Sequence, residues 1–385
     1  MGKTILLIFI LLFGFGCAGS LRLPDGGPIF ESDIPWGTTR GDCAQWALRG
    51  GDSGEPFILW RVKTKSPVLA PPVAGNGAVF VGMPNKRLFA FDARTGEKLG
   101  KLWVDVPVED GISYRDGLLA ITGRSIYNKL GVYDVTTGEF KWKKDSDRAA
   151  AAPIICDNTL YFSTSKGSVF ALDAETGEKI WRVALSDAVI ENEPAFRDSL
   201  VFIADLNGKL FCLTADSGIV RWELELPGMP VGPPIVIPDH IIIPTSAGRI
   251  PVITLDGSIR VEVESPGELI APVACTGPTI YGVTRRGIVF AGDLGGGGIM
   301  WQTSLDEPVI VPPVVWGMEL AAITASGRLV LLNSADGEIE HELELEAPIS
   351  AGPIIYDSCL FIGTESGELI AVGKSNKPME RINER

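Results

Sequence analysis

Residues 170–183 read FALDAETGEKIWRV: three apolar residues, an Asp, a Thr-Gly turn and a Trp. Residues 132–142 (VYDVTTGEFKW) and 211–222 (FCLTADSGIVRW) repeat the pattern. Recurrence at this spacing speaks to architecture before it speaks to chemistry.

Three series of markers set the period. A Pro opens an apolar strand at Pro72, Pro153, Pro194, Pro234, Pro272, Pro313 and Pro353, and one such anchor is missing near Ile112. A hairpin Gly recurs at Gly167, Gly208, Gly248, Gly287, Gly327 and Gly367. The Gly of the opening motif recurs at Gly96, Gly138, Gly177, Gly218, Gly257 and Gly337. Each series repeats about every 40 residues, the length of a four-stranded propeller blade. Together they mark out eight units. Apolar residues alternate or run in short bursts, with no helical spacing of three and four. In the third unit the expected strands are 152–155, 159–163, 168–172 and 179–184, from innermost to outermost.

The last unit ends in a polar tail without a fourth strand, while an unpartnered strand, FILWRVK at 57–63, stands near the chain start. It reads like KIWRV at 179–183. The expectation is an all-β fold, an eight-bladed β-propeller of four-stranded antiparallel blades. Its ring is closed by an N-terminal strand that completes the last blade and removes an open edge.

The domain plan follows. Residues 1–16 (MGKTILLIFILLFGFG) form a signal peptide, with one Lys before an apolar run too short to span a bilayer. Gly16 precedes Cys17, the arrangement that a lipoprotein signal peptidase accepts, so Cys17 is the expected lipidation site. Ala18 is not the Asp of inner-membrane retention, which favours the inner leaflet of an outer membrane. Residues 17–54 read as a lipidated tether with aromatic anchors Trp36 and Trp46, residues 55–375 as the propeller and 376–385 as a polar tail.

Composition narrows the function. With 45 Gly, 27 Pro and 45% apolar residues, the chain suits many short strands joined by turns around a sizeable core. A net charge of −14 argues against nucleic acid, and by the same average against a basic patch that binds anionic lipid. Cys43, Cys156, Cys212, Cys275 and Cys359 show no paired spacing and read as small buried hydrophobes. The two histidines, His240 in a hairpin and His341 at a Trp position, lack metal-ligand spacing and are not placed as catalytic bases. GDLGGGG at 292–298 lacks the Lys-Ser/Thr of a phosphate loop and reads as a blade turn. Residues 205–208 (DLNG) lack the closing Glu of a Ca²⁺ loop and read as a hairpin. No catalytic residue, metal or cofactor is expected.

In the opening motif, the Asp is expected to accept turn N–H groups and the Gly to take a left-handed conformation. The Trp is expected to lie over the neighbouring blade. Trp60, Trp103, Trp142, Trp181, Trp222 and Trp301 are assigned this docking role, with Val261 and His341 replacing Trp in two blades.

The Ala-x-Asp-x-x-Thr-Gly-x-x-x-Trp pattern resembles the tryptophan-docking repeat of the PQQ-type quinoprotein propellers, over the whole chain from about Phe57. One branch of that superfamily is the quinoprotein dehydrogenases, which hold quinone against an adjacent Cys-Cys disulfide with Ca²⁺ and an Asp. This chain has no adjacent cysteines and no C-x-x-C-H haem motif. The other branch is the BamB lipoproteins of the outer-membrane β-barrel assembly machinery, which chain length, Cys17 and the eight units resemble. The resemblance implies a non-enzymatic, monomeric scaffold at the periplasmic face of the outer membrane. Its partner is the β-barrel assembly machinery or another envelope protein. An extracytoplasmic propeller that binds another protein, a peptide or a glycan is the alternative. In the BamB branch, inter-blade loops near mid-chain contact the partner through Arg and Asp. Here 186–193 (SDAVIENE) and 227–233 (PGMPVGP) contain no Arg, so Asp187, Glu191, Glu193 and Met229 are the candidate contact residues.

Overall fold

The computed structural model describes residues 21–23, 38, 41–42, 48–49 and 54–375, apart from 110, 124–128 and 147–148. The described chain is all-β, with eight antiparallel four-stranded blades following one another around a ring. Blade 1 spans Val73–Gly75, Ala78–Met83, Arg87–Asp92 and Lys98–Trp103. Blade 3 spans Ile154–Cys156, Thr159–Ser163, Ser168–Asp173 and Lys179–Ala184, within two residues of the expected bounds.

The opening stretch is the third and outer strands of blade 3 with the turn between them. Asp173 Oδ1 accepts the N–H groups of Glu175 and Thr176 at 3.0 and 2.7 Å and the Thr176 hydroxyl at 3.0 Å. Gly177 takes φ +71°, and a Cβ there would lie 2.5 Å from Trp142 Cδ2 of blade 2. The position therefore needs glycine twice, for its backbone and for the ring lying on it. Phe170 and Leu172 pack against blade 2, while Val169 and Ala171 pack against blade 4. The core is thus a series of layers between blades, and each blade is buried on both faces.

Closure occurs as the sequence predicts. Glu55–Lys63 pairs antiparallel with Glu368–Ser375, and Trp60 stands opposite Ala371. Trp60 Nε1–H then donates to the Ala93 carbonyl of blade 1 at 3.2 Å, so one strand completes blade 8 and docks it onto its neighbour.

The described part of the N-terminal segment is not a free tether. Leu48–Arg49 adds to blade 7, running parallel to Val315–Trp316 of its inner strand. Asp42 shares a cleft with Arg115, Asp157 and Arg197, from the inner hairpins of blades 2, 3 and 4. Cys156, expected as a small hydrophobe, is disulfide-bonded; Cys212, Cys275 and Cys359 are thiols. Cys17, Trp36, Cys43, Trp46, the leader 1–16 and the tail 376–385 lie outside the described residues.

Candidate partner-binding surface

The docking Trp residues hold the ring that carries any binding surface. The indole N–H groups of Trp142, Trp181, Trp222 and Trp301 donate to Ala174, Ala215, Leu255 and Ser334 carbonyls of the following blade, at 2.7–3.2 Å. Trp103 differs. It stands opposite Arg87 at the end of its strand, is 59% exposed, and has the Arg87 guanidinium 5.7 Å from its ring. The docking position of blade 1 is Gly100, opposite Ala90. The docking Trp stands four positions after the turn glycine in Gly177/Trp181, and the same count from Gly96 ends on Gly100. That count was the available signal.

The empty position is filled from elsewhere in the chain. Leu23 N–H donates to the Val135 carbonyl of blade 2 at 2.8 Å, the bond an indole makes in other blades. Arg22 Nε donates to the Thr136 carbonyl at 3.0 Å, and its Cβ lies 3.1 Å from where a Gly138 Cβ would be. Tyr133 donates its hydroxyl proton to the Leu21 carbonyl at 2.7 Å, and Leu21 and Leu23 are buried. Nothing in the composition of residues 21–23 marks them for this.

Loops from an outer strand to the next inner strand share one side of the ring with the central hairpins of the following blade. The Val189 carbonyl accepts Leu206 N–H at 2.7 Å, the Asp187 carbonyl accepts Asn207 Nδ2 at 2.7 Å, and the Met229 carbonyl accepts Ser246 N–H at 2.8 Å. These bonds hold the backbone of both loops and leave Asp187, Val189, Glu191 and Met229 exposed. Glu193 is 6% exposed, so its side chain is not available at the surface. A cleft of about 400 Å³ runs from Asp187 past Asp205 and Asn207 to Lys209 and Glu223. Burial raises the Asp205 carboxyl above its ordinary pKa. Its Oδ1 accepts the Lys209 N–H at 2.8 Å, a hairpin role.

The other flagged features are turns and packing. Asp293 accepts the N–H groups of Gly295 and Gly296 at 2.9 and 2.8 Å, which makes 292–298 a blade turn. His240 Nε2 sits 3.1 Å from Arg260 Nη1. Among the described residues no group of three or more His, Cys, Asp or Glu is arranged to hold a metal ion. Cys156, Cys212, Cys275 and Cys359 belong to four different blades, so they do not match the adjacent pair that holds quinone in the dehydrogenase branch.

The net charge is unevenly placed. Outer strands of blades 8, 1, 2 and 3 carry Arg61 and Lys63, Lys98 and Lys101, Lys141 and Lys143, and Lys179 and Arg182. Those of blades 4 and 5 carry one Arg each, Arg221 and Arg260, against Glu223 and Glu225, and Glu262 and Glu264, and that of blade 7 carries Glu340, Glu342 and Glu344. The average of −14 conceals a basic arc, so it does not exclude contact with anionic lipid.

The family described as "Outer membrane protein assembly factor BamB" matches residues 90–190, 165–261 and 255–376. The protein of that name from Kangiella koreensis is 27% identical over 198 residues, 47% of this chain and 49% of that protein. The chain thus matches about half the length of this curated relative. The quinoprotein alcohol dehydrogenase PedH of Pseudomonas putida is 29% identical over 182 residues, 41% of this chain and 29% of that protein. Among solved structures, BamB from Moraxella catarrhalis superposes with a TM-score of 0.70 at 16% identity, covering 83% of this chain and 99% of the other, a likeness of fold.

Proposed function

The chain belongs to the family described as outer membrane protein assembly factor BamB, and from that membership we propose that it is a non-enzymatic scaffold lipoprotein at the periplasmic face of the outer membrane. It assists assembly of β-barrel proteins through protein–protein contacts. Lipid on Cys17 anchors it, after removal of 1–16 as a signal peptide. The propeller works as a monomer within the assembly machinery.

The observation that carries this reading is the pair of loops after blades 3 and 4. Their backbones are pinned to the next blade while Asp187, Val189, Glu191 and Met229 project outward. A rigid backbone presenting exposed apolar and acidic side chains lowers the ordering cost of binding. Asp187 and Glu191 have no ion-pair partner among the described residues, and such carboxylates fit a basic patch on a partner.

Photo-crosslinking groups at positions 187, 191 and 229 should capture one envelope protein, a component of the β-barrel assembly machinery. The same component should co-purify with the chain and be lost with Asp187→Lys/Glu191→Lys. Capture of an unrelated protein or a glycan at these positions would overturn the reading. Labelling with a clickable fatty acid should be abolished by Cys17→Ala; label retained in that variant removes Cys17 as the anchor. Dye reduction with alcohols after addition of PQQ and Ca²⁺ would move the chain to the dehydrogenase branch.

A further inference from the structure

Four cations of the acidic arc stand against carboxylates, while Arg221 and Arg260 on its outer strands are far outnumbered by glutamates. Lys209 lies 3.3 Å from Glu225, Arg249 3.1 Å from Glu262, Arg285 2.9 Å from Glu268 and Arg328 3.0 Å from Glu342. At the outer edge of blade 1, with Lys65 from the loop that enters this blade, the cations stand together without carboxylates. Among the described residues Lys65, Arg87, Lys98 and Lys101 pair with no carboxylate, although the chain has 48 acidic residues. They stand close enough to repel one another. Burial first, and then the charges of Lys101, Arg87 and Lys65, lower the Lys98 pKa. Aromatic rings lie among them: the Lys98 ammonium is 4.0 Å from the Phe89 ring centre, and Arg87 covers the exposed ring of Trp103. Uncompensated cations grouped with an exposed Trp match the headgroup layer of a bilayer, where phosphates meet the cations and indoles settle.

The chain start docks next to this edge, in the seam between blades 1 and 2. Leu21 and Leu23 share one buried apolar cluster with Leu102 and Val104, at the end of blade 1's outer strand and just beyond it. Only residues 18–20 lie between Cys17 and the docked Leu21, a reach of at most about 14 Å. With lipid on Cys17, which rests on the function proposed above, the leash holds the seam between blades 1 and 2, and with it the outer edge of blade 1, close to the membrane.

We propose that the outer edge of blade 1, with Lys65, Arg87, Lys98, Lys101 and Trp103, is a membrane-facing surface that binds the phosphates of anionic lipid. The propeller stands edge-on to the leaflet, which leaves the loops after blades 3 and 4 free for the partner. Binding is electrostatic and weakens with salt.

The test uses the chain from residue 17 onward, which keeps every described residue, with Cys17→Ser so that no lipid contributes. It should co-sediment with vesicles containing phosphatidylglycerol at low salt, should be released as salt rises, and should ignore pure phosphatidylcholine. Lys98→Gln/Lys101→Gln should weaken the association roughly fivefold for each lysine, with an unchanged urea midpoint. Lys209→Glu, on the acidic arc, should leave it unaltered. Failure to bind phosphatidylglycerol vesicles, or equal binding by the double variant, overturns the proposal. So does binding to heparin without binding to vesicles, which would give the patch to another polyanion. Co-purification with the assembly machinery is read separately: if it persists while vesicle binding is absent, only the membrane-facing edge falls.

Discussion

At the residue scale, one indole and one glycine decide how blades meet at five of the eight joints. Trp181 is 7% exposed, and its ring lies against Gly218, where a Cβ would stand 2.6 Å from the ring. Trp181→Ala should cost about 3–5 kcal/mol in urea unfolding. Trp103 bridges no blades, and Trp103→Ala should change stability by less than about 0.5 kcal/mol. Equal losses from the two would remove the distinction between them. Turn aspartates act on the same scale. The N–H groups of Gly295 and Gly296 hold the Asp293 carboxyl below its usual pKa. A depressed folded-state pKa supplies stability that is complete above the unfolded value, near 4, and lost as pH falls through the folded one. Asp293→Ala should therefore flatten the decline of the urea midpoint below about pH 4 and leave its shape at neutral pH unchanged.

At the scale of elements, every missing Trp has a local counterpart. In blade 1 residues 21–23 occupy the slot over the Gly138 turn. In blade 5 the Gly297 turn comes close to Val261 and the Glu262 carbonyl, each 2.7 Å from a Cβ placed there, which leaves no room for an indole. In blade 7 His341 stands at the docking position, but blade 8 takes its outer strand from residues 55–63 and has no turn to dock on. That seam is held by other means. Trp316 Nε1–H donates to the Ser358 carbonyl at 3.2 Å, and Lys374 pairs with Glu319 where both side chains are almost wholly buried. Lys374→Met strands the buried Glu319 carboxylate and should cost about 3–5 kcal/mol; Lys374→Met/Glu319→Leu should recover most of it. If the double variant is as unstable as the single, the pair is not what holds the seam. Deleting residues 55–63 opens blade 8 and removes the Trp60 contact to blade 1. The expected outcome is loss of cooperative unfolding, and a deletion that melts like the parent would contradict it.

At the scale of the molecule, the ring separates two tasks. The loops after blades 3 and 4 offer a fixed surface to a partner, and the outer edge of blade 1 offers cations to a membrane. Periodicity made the architecture legible. Proline, hairpin glycine and the Asp-Thr-Gly-Trp motif each mark a local backbone requirement, and such requirements are written where they act. Blade number, strand order in blade 3 and closure through residues 57–63 could all be read before any coordinates. The turn roles of Asp173, Asp293 and residues 205–208 were legible for the same reason. Three matters were not. Trp103 resembles a docking residue by type, but strand register places Gly100 there instead. Residues 21–23 look like linker, because the slot they fill belongs to a turn more than a hundred residues away. The basic arc vanished into a net charge, since a sum over the chain says nothing of where the ring sets each side chain. The repeat in residues 170–183 determined the blade and its joints, because turn and strand preferences act between neighbours in the chain. Which blade lacks its joint, what fills it and which edge is basic were decided by the closed ring, because those depend on residues that only folding brings together.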